Sequence, residues 1–168
     1  MKLDIKSPKR KDLPVLNSKL PVIVPNFHEN QLKEQESGDN LYLIAWKGNE
    51  PIGHLLIRFG GTKIRKVKNY LKKVPHLEAM GVREDFRRKG VATQLVKEAE
   101  RLIKKRNLKI IGLAVEDDLK SAPNVLYRRL GYKDWGHGEV IDTWKFIDEK
   151  GKTHIKHEKC IYLIKRLK

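Results

Sequence analysis

Residues 87 to 90, Arg87-Arg88-Lys89-Gly90, set three cations and a glycine directly before a stretch in which Val91, Leu95, Ala99, Leu102 and Ile103 recur at steps of three and four. That stripe is the pattern of an amphipathic helix. The first N–H groups of a helix have no partner within it, and its aligned peptide dipoles make that end positive. Cations at such an end suit one chemistry, the holding of a phosphate. Gly90 lets the chain turn without a Cβ in the way, so that backbone can approach an anion closely, and Ala92 is small enough to leave the same space open. The spacing is not Gly-x-x-x-x-Gly-Lys-Ser/Thr of the nucleotide-binding P-loop, nor Gly-x-Gly-x-x-Gly of dinucleotide folds.

The apolar run His76 to Val82 before this turn is long enough for one buried strand, so the local order is strand, basic glycine turn, helix. The segments around it supply a sheet. Residues 2 to 6 alternate weakly and read as a first strand, 13 to 20 as a short helix with Pro14 in its first turn, and 26 to 36 as a second helix. Residues 41–46 and 52–59 form a hairpin about Lys47-Gly48-Asn49-Glu50-Pro51. The segment 63–73 carries Lys63, Arg65, Lys66, Lys68, Lys72 and Lys73 and no acid; it reads as a short basic helix or a loop. Leu108 to Val115 is the most apolar strand, suited to the middle of a mixed sheet. Ser121 can cap a helix over 122–130 that ends at Gly131. In the tail, 143–147 and 153–155 flank a turn at Asp148-Glu149-Lys150-Gly151-Lys152, and 159–167 reads as a separate last strand.

Composition bounds what this assembly can be. A chain of 168 residues with 39% apolar content fits one domain, 1–168, with one real core. No apolar run approaches the roughly 20 residues that span a bilayer, and Met1-Lys2-Leu3-Asp4-Ile5-Lys6 lacks the apolar core of a signal peptide, so a cytoplasmic protein without a membrane partner is expected. Cys160 is the sole cysteine, which excludes an intramolecular disulfide and a cysteine metal cluster; no His/Cys/Asp spacing suggests a metal. The 37 Lys and Arg against 21 Asp and Glu leave a net charge of +16, a field that favours anionic partners, nucleic acid or an anionic cofactor among them.

Arg87-x-x-Gly90-x-Ala92 after an apolar strand resembles the acetyl-CoA pyrophosphate loop of the GNAT acetyltransferase superfamily, Gln/Arg-x-x-Gly-x-Gly/Ala. Two further features resemble the same family. One is Tyr127-Arg128-Arg129-Leu130-Gly131-Tyr132 after an acidic loop and Asn124, similar to a helix ending in Tyr/Phe-x-x-x-Gly-Tyr/Phe. The other is the distance from Gly90 to Tyr127, room for a helix, a strand and a second helix start. Arg88 stands where many members have glycine, and Ala92 stands for a glycine.

The resemblance implies a mixed α/β fold: a mostly antiparallel central sheet of about seven strands flanked by helices, with a splay between the fourth and fifth strands. It implies acetyl transfer from acetyl-CoA to a primary amine of a small-molecule or protein acceptor, directly in a ternary complex. The main chain of Met80 and Val82 would bond pantetheine, the N–H groups around Arg87, Arg88, Lys89, Gly90, Val91, Ala92 and Thr93 would hold the pyrophosphate, and Asn124 would touch the pantetheine arm. Tyr127, a phenol protonated at neutral pH, would be the general acid and Glu78 the general base. Strand alternation would put Glu78, Met80 and Val82 on one face. His76 is a rival base; His54, His137 and Cys160 are weaker candidates. Dimerisation is common in that family, so a homodimer is an open expectation. The alternative reading is a basic nucleic-acid- or ribosome-associated protein, with or without acetyltransferase activity, using 63–73 and the lysine-rich tail.

Overall fold

The structure is a computed structural model that describes all 168 residues. Its centre is an eight-stranded sheet in the order β1-β2-β3-β4-β5-β8-β6, with β7 paired to β8. The strands are β1 (Asp4–Lys6), β2 (Asn40–Lys47), β3 (Glu50–Arg58), β4 (His76–Val82), β5 (Ile110–Glu116), β6 (Lys133–Asp134), β7 (Val140–Ile147) and β8 (Thr153–Arg166). Every pairing is antiparallel except β4 with β5, which is parallel and holds at only two rungs, His76–Gly112 and Leu77–Leu113. Beyond Leu77 the two strands part. The expected mixed, mostly antiparallel sheet with a splay between its fourth and fifth strands is thus the observed one.

Five α-helices cover the sheet: α1 (Leu13–Lys19), α2 (Phe27–Glu36), α3 (Arg65–Tyr70), α4 (Val91–Lys105) and α5 (Ala122–Arg129). One face carries the main core. There Val91, Leu95, Val96, Ala99 and Ile103 of α4 and Tyr127 of α5 pack on Leu43, Leu55, Ile57, Leu77, Ile111 and Leu113. The stripe read from the sequence is therefore the buried face of α4. The opposite face is covered in two patches. Leu16 and Leu20 close over Tyr42, Ile44, Trp46 and Leu56 at one end. Ile64 and Val67 close over Trp135, Val140, Cys160 and Tyr162 at the other. The gap between the patches falls on β4, beside the splay.

One expectation changes, and one open alternative is decided. The segments 153–155 and 159–167 are not separate strands: β8 runs unbroken for 14 residues. Its second half lies in the sheet against β5, and its first half pairs only with β7 as a two-stranded ribbon. The segment 63–73 resolves into α3 with flanking turns, because Ile64 and Val67 find a buried apolar seat.

Gly112 has a packing reason for its size. A Cβ there would run into the ring and hydroxyl of Tyr162, which is fully buried and lies 3.0 Å from His76 Nδ1. Gly112→Ala is therefore expected to overpack the centre of the sheet and destabilise the protein by about 1–3 kcal/mol, read as a lowered urea midpoint with an unchanged m-value.

Candidate active site

The parting of β4 from β5 opens a cleft of about 620 Å³, lined among others by Glu78, Met80, Glu116, Tyr127, Glu158 and Lys159. Main-chain groups are turned into it. The Arg83 N–H donates to Ile52 O of β3, so strand alternation directs the Val82 main chain the other way, to the open edge. Val82 O accepts from Arg87 Nε at 3.2 Å, which ties the basic turn to the strand that precedes it.

That turn leaves a run of donors free. The first bond of α4 is Gln94 N–H to Gly90 O. The N–H groups of Arg88, Lys89, Gly90, Val91, Ala92 and Thr93 find no acceptor in the protein. Arg88 (φ +57°) and Gly90 (φ +83°) both lie in the left-handed region, the conformation that curls successive N–H groups into an anion-holding concavity. No atom lies within 4 Å of the place a Gly90 Cβ would take; the glycine serves conformation and open space. Arg88 occupies a left-handed position at a cost of about 1 kcal/mol, the physical reason a glycine suits it too. Lys89 Nζ donates to Asp85 O at 2.9 Å, and the loop base is braced by Arg83, paired with Asp85 and set over the Phe86 ring.

The expected common face of Glu78, Met80 and Val82 is not what the structure has. Glu78 pairs with Leu56 but Gly81 pairs with His54, so β4 carries one residue more than β3 between these rungs. Ala79 takes φ +54° to absorb it. This is a β-bulge. Met80 and Val82 pack toward the α4 core, while Ala79 packs toward the α1 patch. Glu78 opens on the second face, with His76 and Arg58. Gly81 admits the bulge because the His54 ring fills the place of its Cβ.

Glu78 forms an ion pair with Arg58, which also pairs with Glu34 of α2 at 3.0 Å. His76 is 4% exposed, and burial followed by the Arg58 charge pushes its pKa down to about 3. His54 is pushed down to about 4 by burial, then by His28. His28 donates Nε2–H to Leu20 O and accepts from the Tyr42 hydroxyl at 2.8 Å, and its pKa is also lowered, chiefly by burial.

Tyr127 lies across the cleft, its ring edge-on to Tyr132 at 5.5 Å. Burial pushes its pKa above the ordinary phenol value, so it is protonated at neutral pH, and its hydroxyl makes no hydrogen bond within the protein. Asn124 sits in the first turn of α5. It is fully buried, with Nδ2 donating to Glu116 O and Asp118 O and Oδ1 accepting from Arg128 Nε at 2.7 Å. Its amide fixes the acidic loop to α5, whose start is capped by Ser121. His137 lies on the surface against Tyr70, and Cys160 is buried under α3; neither lines the cleft. The bulge at Ala79 and the Arg58 ion pairs escaped the sequence reading, because both arise from pairings across the sheet and between elements.

A family model described as Acetyltransferase (GNAT) family matches residues 13–132. No curated protein matches in sequence. Among solved structures, the chain is similar to an N-acetyltransferase from Staphylococcus aureus Mu50, at 12% identity and TM-score 0.70 over 100% of both chains. It is similar to a ribosomal-protein-alanine N-acetyltransferase from Brucella melitensis, at 18% identity and TM-score 0.68 over 98% of this chain and 100% of that one. A PaiA N-acetyltransferase from Thermoplasma acidophilum, in complex with coenzyme A, aligns at 15% identity and TM-score 0.61 over 99% of each chain. At these identities the likeness is one of fold.

The buried histidines give the site a pH signature. His54 and His76 bind protons more readily unfolded, near the ordinary 6.5, than folded, near about 4 and about 3. Their contribution to stability is complete above about pH 6.5 and is lost as pH falls toward those folded values, at up to about 1.4 kcal/mol per unit for each group. Urea unfolding is expected to show stability falling between about pH 6.5 and 4, and His76→Asn is expected to make that fall shallower.

Proposed function

The chain belongs to the GNAT acetyltransferase family, and from that premise we propose that it transfers an acetyl group from acetyl-CoA to a primary amine, directly and in a ternary complex. The observation that carries this reading is the run of six free N–H groups from Arg88 to Thr93 at the start of α4, next to the open edge of β4. Such donors match a diphosphate. Arg87, Arg88 and Lys89 add charge to them, and the main chain of Met80 and Val82 aligns a flexible amide-bearing arm along β4. Acetyl-CoA supplies an acyl group already activated as a thioester.

The remaining work falls to side chains around the cleft. Tyr127 keeps its proton at neutral pH and is the group to protonate a departing thiolate. Glu78, paired with Arg58, accepts the proton of an incoming ammonium or amine. Glu116 and Glu158 also line the cleft and favour a cationic acceptor approaching from the open face between the α1 and α3 patches. The acceptor is an amine on a small molecule or a protein.

Acetyl-CoA at about 100 times its Kd is expected to raise Tm by roughly 5–10 °C; no shift in a folded protein would overturn the reading. An amine-panel assay that detects released thiol then finds the acceptor. On it, Tyr127→Phe is expected to lower kcat by about 10²-fold. Glu78→Gln is expected to lower kcat/KM by a similar factor of about 10² and to flatten its acid limb. Arg87→Glu with Arg88→Glu is expected to raise the acetyl-CoA KM by about 10-fold or more.

A further inference from the structure

The six cations of 63–73 remain unabsorbed by this mechanism. Lys63, Arg65, Lys66, Lys68, Lys72 and Lys73 are all exposed, and none takes part in an ion pair. Their helix is not loose: Ile64 and Val67 are buried against Trp135, Val140 and Tyr162, and Lys66 Nζ donates to Glu139 O at 2.9 Å. Like charges so close repel one another unless an anionic partner neutralises them.

Aromatic planes lie beside these charges. Tyr70, 56% exposed at the end of α3, stacks on exposed His137 at 4.0 Å and 26°. The ribbon of β7 and β8 carries a second stack. Val140 and Cys160 pack under α3, and period-two alternation puts Asp142, Trp144 and Phe146 on the same face as Val140, with Glu158, Lys156 and His154 opposite them. Trp144 stacks on Phe146 at 5.7 Å and 21°, and Phe146 on His154 at 4.8 Å and 11°. Trp144 lies four residues along the strand from Val140, about 13 Å. The intervening Asp142–Glu158 rung is acidic, and Glu158 borders the cleft, so phosphates are kept from the acceptor opening.

We propose that α3 and the adjoining face of the β7–β8 ribbon bind single-stranded nucleic acid. Lysines and Arg65 take the phosphates, and the rings of Tyr70 and Trp144 stack on unpaired bases, the combination by which sequence-tolerant single-strand binders work. An acidic peptide would engage the cations but has no use for two stacking platforms. The surface stands apart from the acetyl-CoA loop and does not depend on the acetyl-transfer reading.

The test is fluorescence anisotropy with a labelled oligouridylate of about twelve nucleotides, beside a duplex of equal length and a polyglutamate peptide. The single strand is expected to bind best, with affinity falling as salt rises. Lys68→Glu/Lys72→Glu/Lys73→Glu is expected to weaken it by about 10-fold or more and to flatten the logarithmic salt slope by about 2. Tyr70→Ala and Trp144→Ala are each expected to weaken single-strand binding by about 10-fold with the slope unchanged. An unchanged urea midpoint in the absence of ligand certifies that each variant is folded. No binding at about 50 mM salt, polyglutamate binding as tight as the oligonucleotide, or parental affinity in the triple variant would each overturn the proposal.

Discussion

β4 and β5 are hydrogen-bonded side by side at His76–Gly112 and Leu77–Leu113 and then separate. A parallel pair buried at mid-sheet ordinarily continues its ladder, because unpaired main-chain groups away from water cost free energy. Here the ladder stops while both strands go on, and the edge so exposed is a strand-shaped set of donors and acceptors without a strand. The core beneath it is dense: Leu77, Leu113, Leu95 and Val96 are all within 3% of complete burial. The cleft is therefore a gap between strands on a rigid floor, not a loosely packed region. The bulge at Ala79 lies just past the last shared rung, and the basic turn at 87–90 follows the same strand, so one segment supplies both the open edge and the run of free N–H groups.

The helices divide the labour around this gap. α4 and α5 hold the floor, and they present respectively the free N–H groups and Tyr127. α1, α2 and α3 leave β4 uncovered on the other side. Glu78 thus lies on the side of β4 away from Met80 and Val82. The sequence reading had all three on one face; the extra residue at Ala79 is what divides them.

Much of this was legible in the residues. The change of period at Gly90, the Ser121 cap and the hairpin about Gly48 are local signals, since each depends on chain neighbours and on turn or cap chemistry. The bulge is not local. An alanine at φ +54° follows from the pairing of β4 with β3 and from His54 beneath Gly81, and no propensity announces it. Nor was Asn124 legible, because its acceptors are main-chain oxygens six and eight residues away, brought near only by the fold. The unity of β8 was hidden because its two halves live in different surroundings: 160–166 lies in the sheet, and 153–159 pairs with β7 alone, so no single burial period runs through it. No helix is long and apolar enough to cross a membrane.

Arg58 divides one guanidinium between Glu34 on α2 and Glu78 on β4. The two carboxylates consequently share a single countercharge. A helix and a mid-sheet strand are thus clasped by one side chain, and removing Arg58 would strand both carboxylates at once, one on each element.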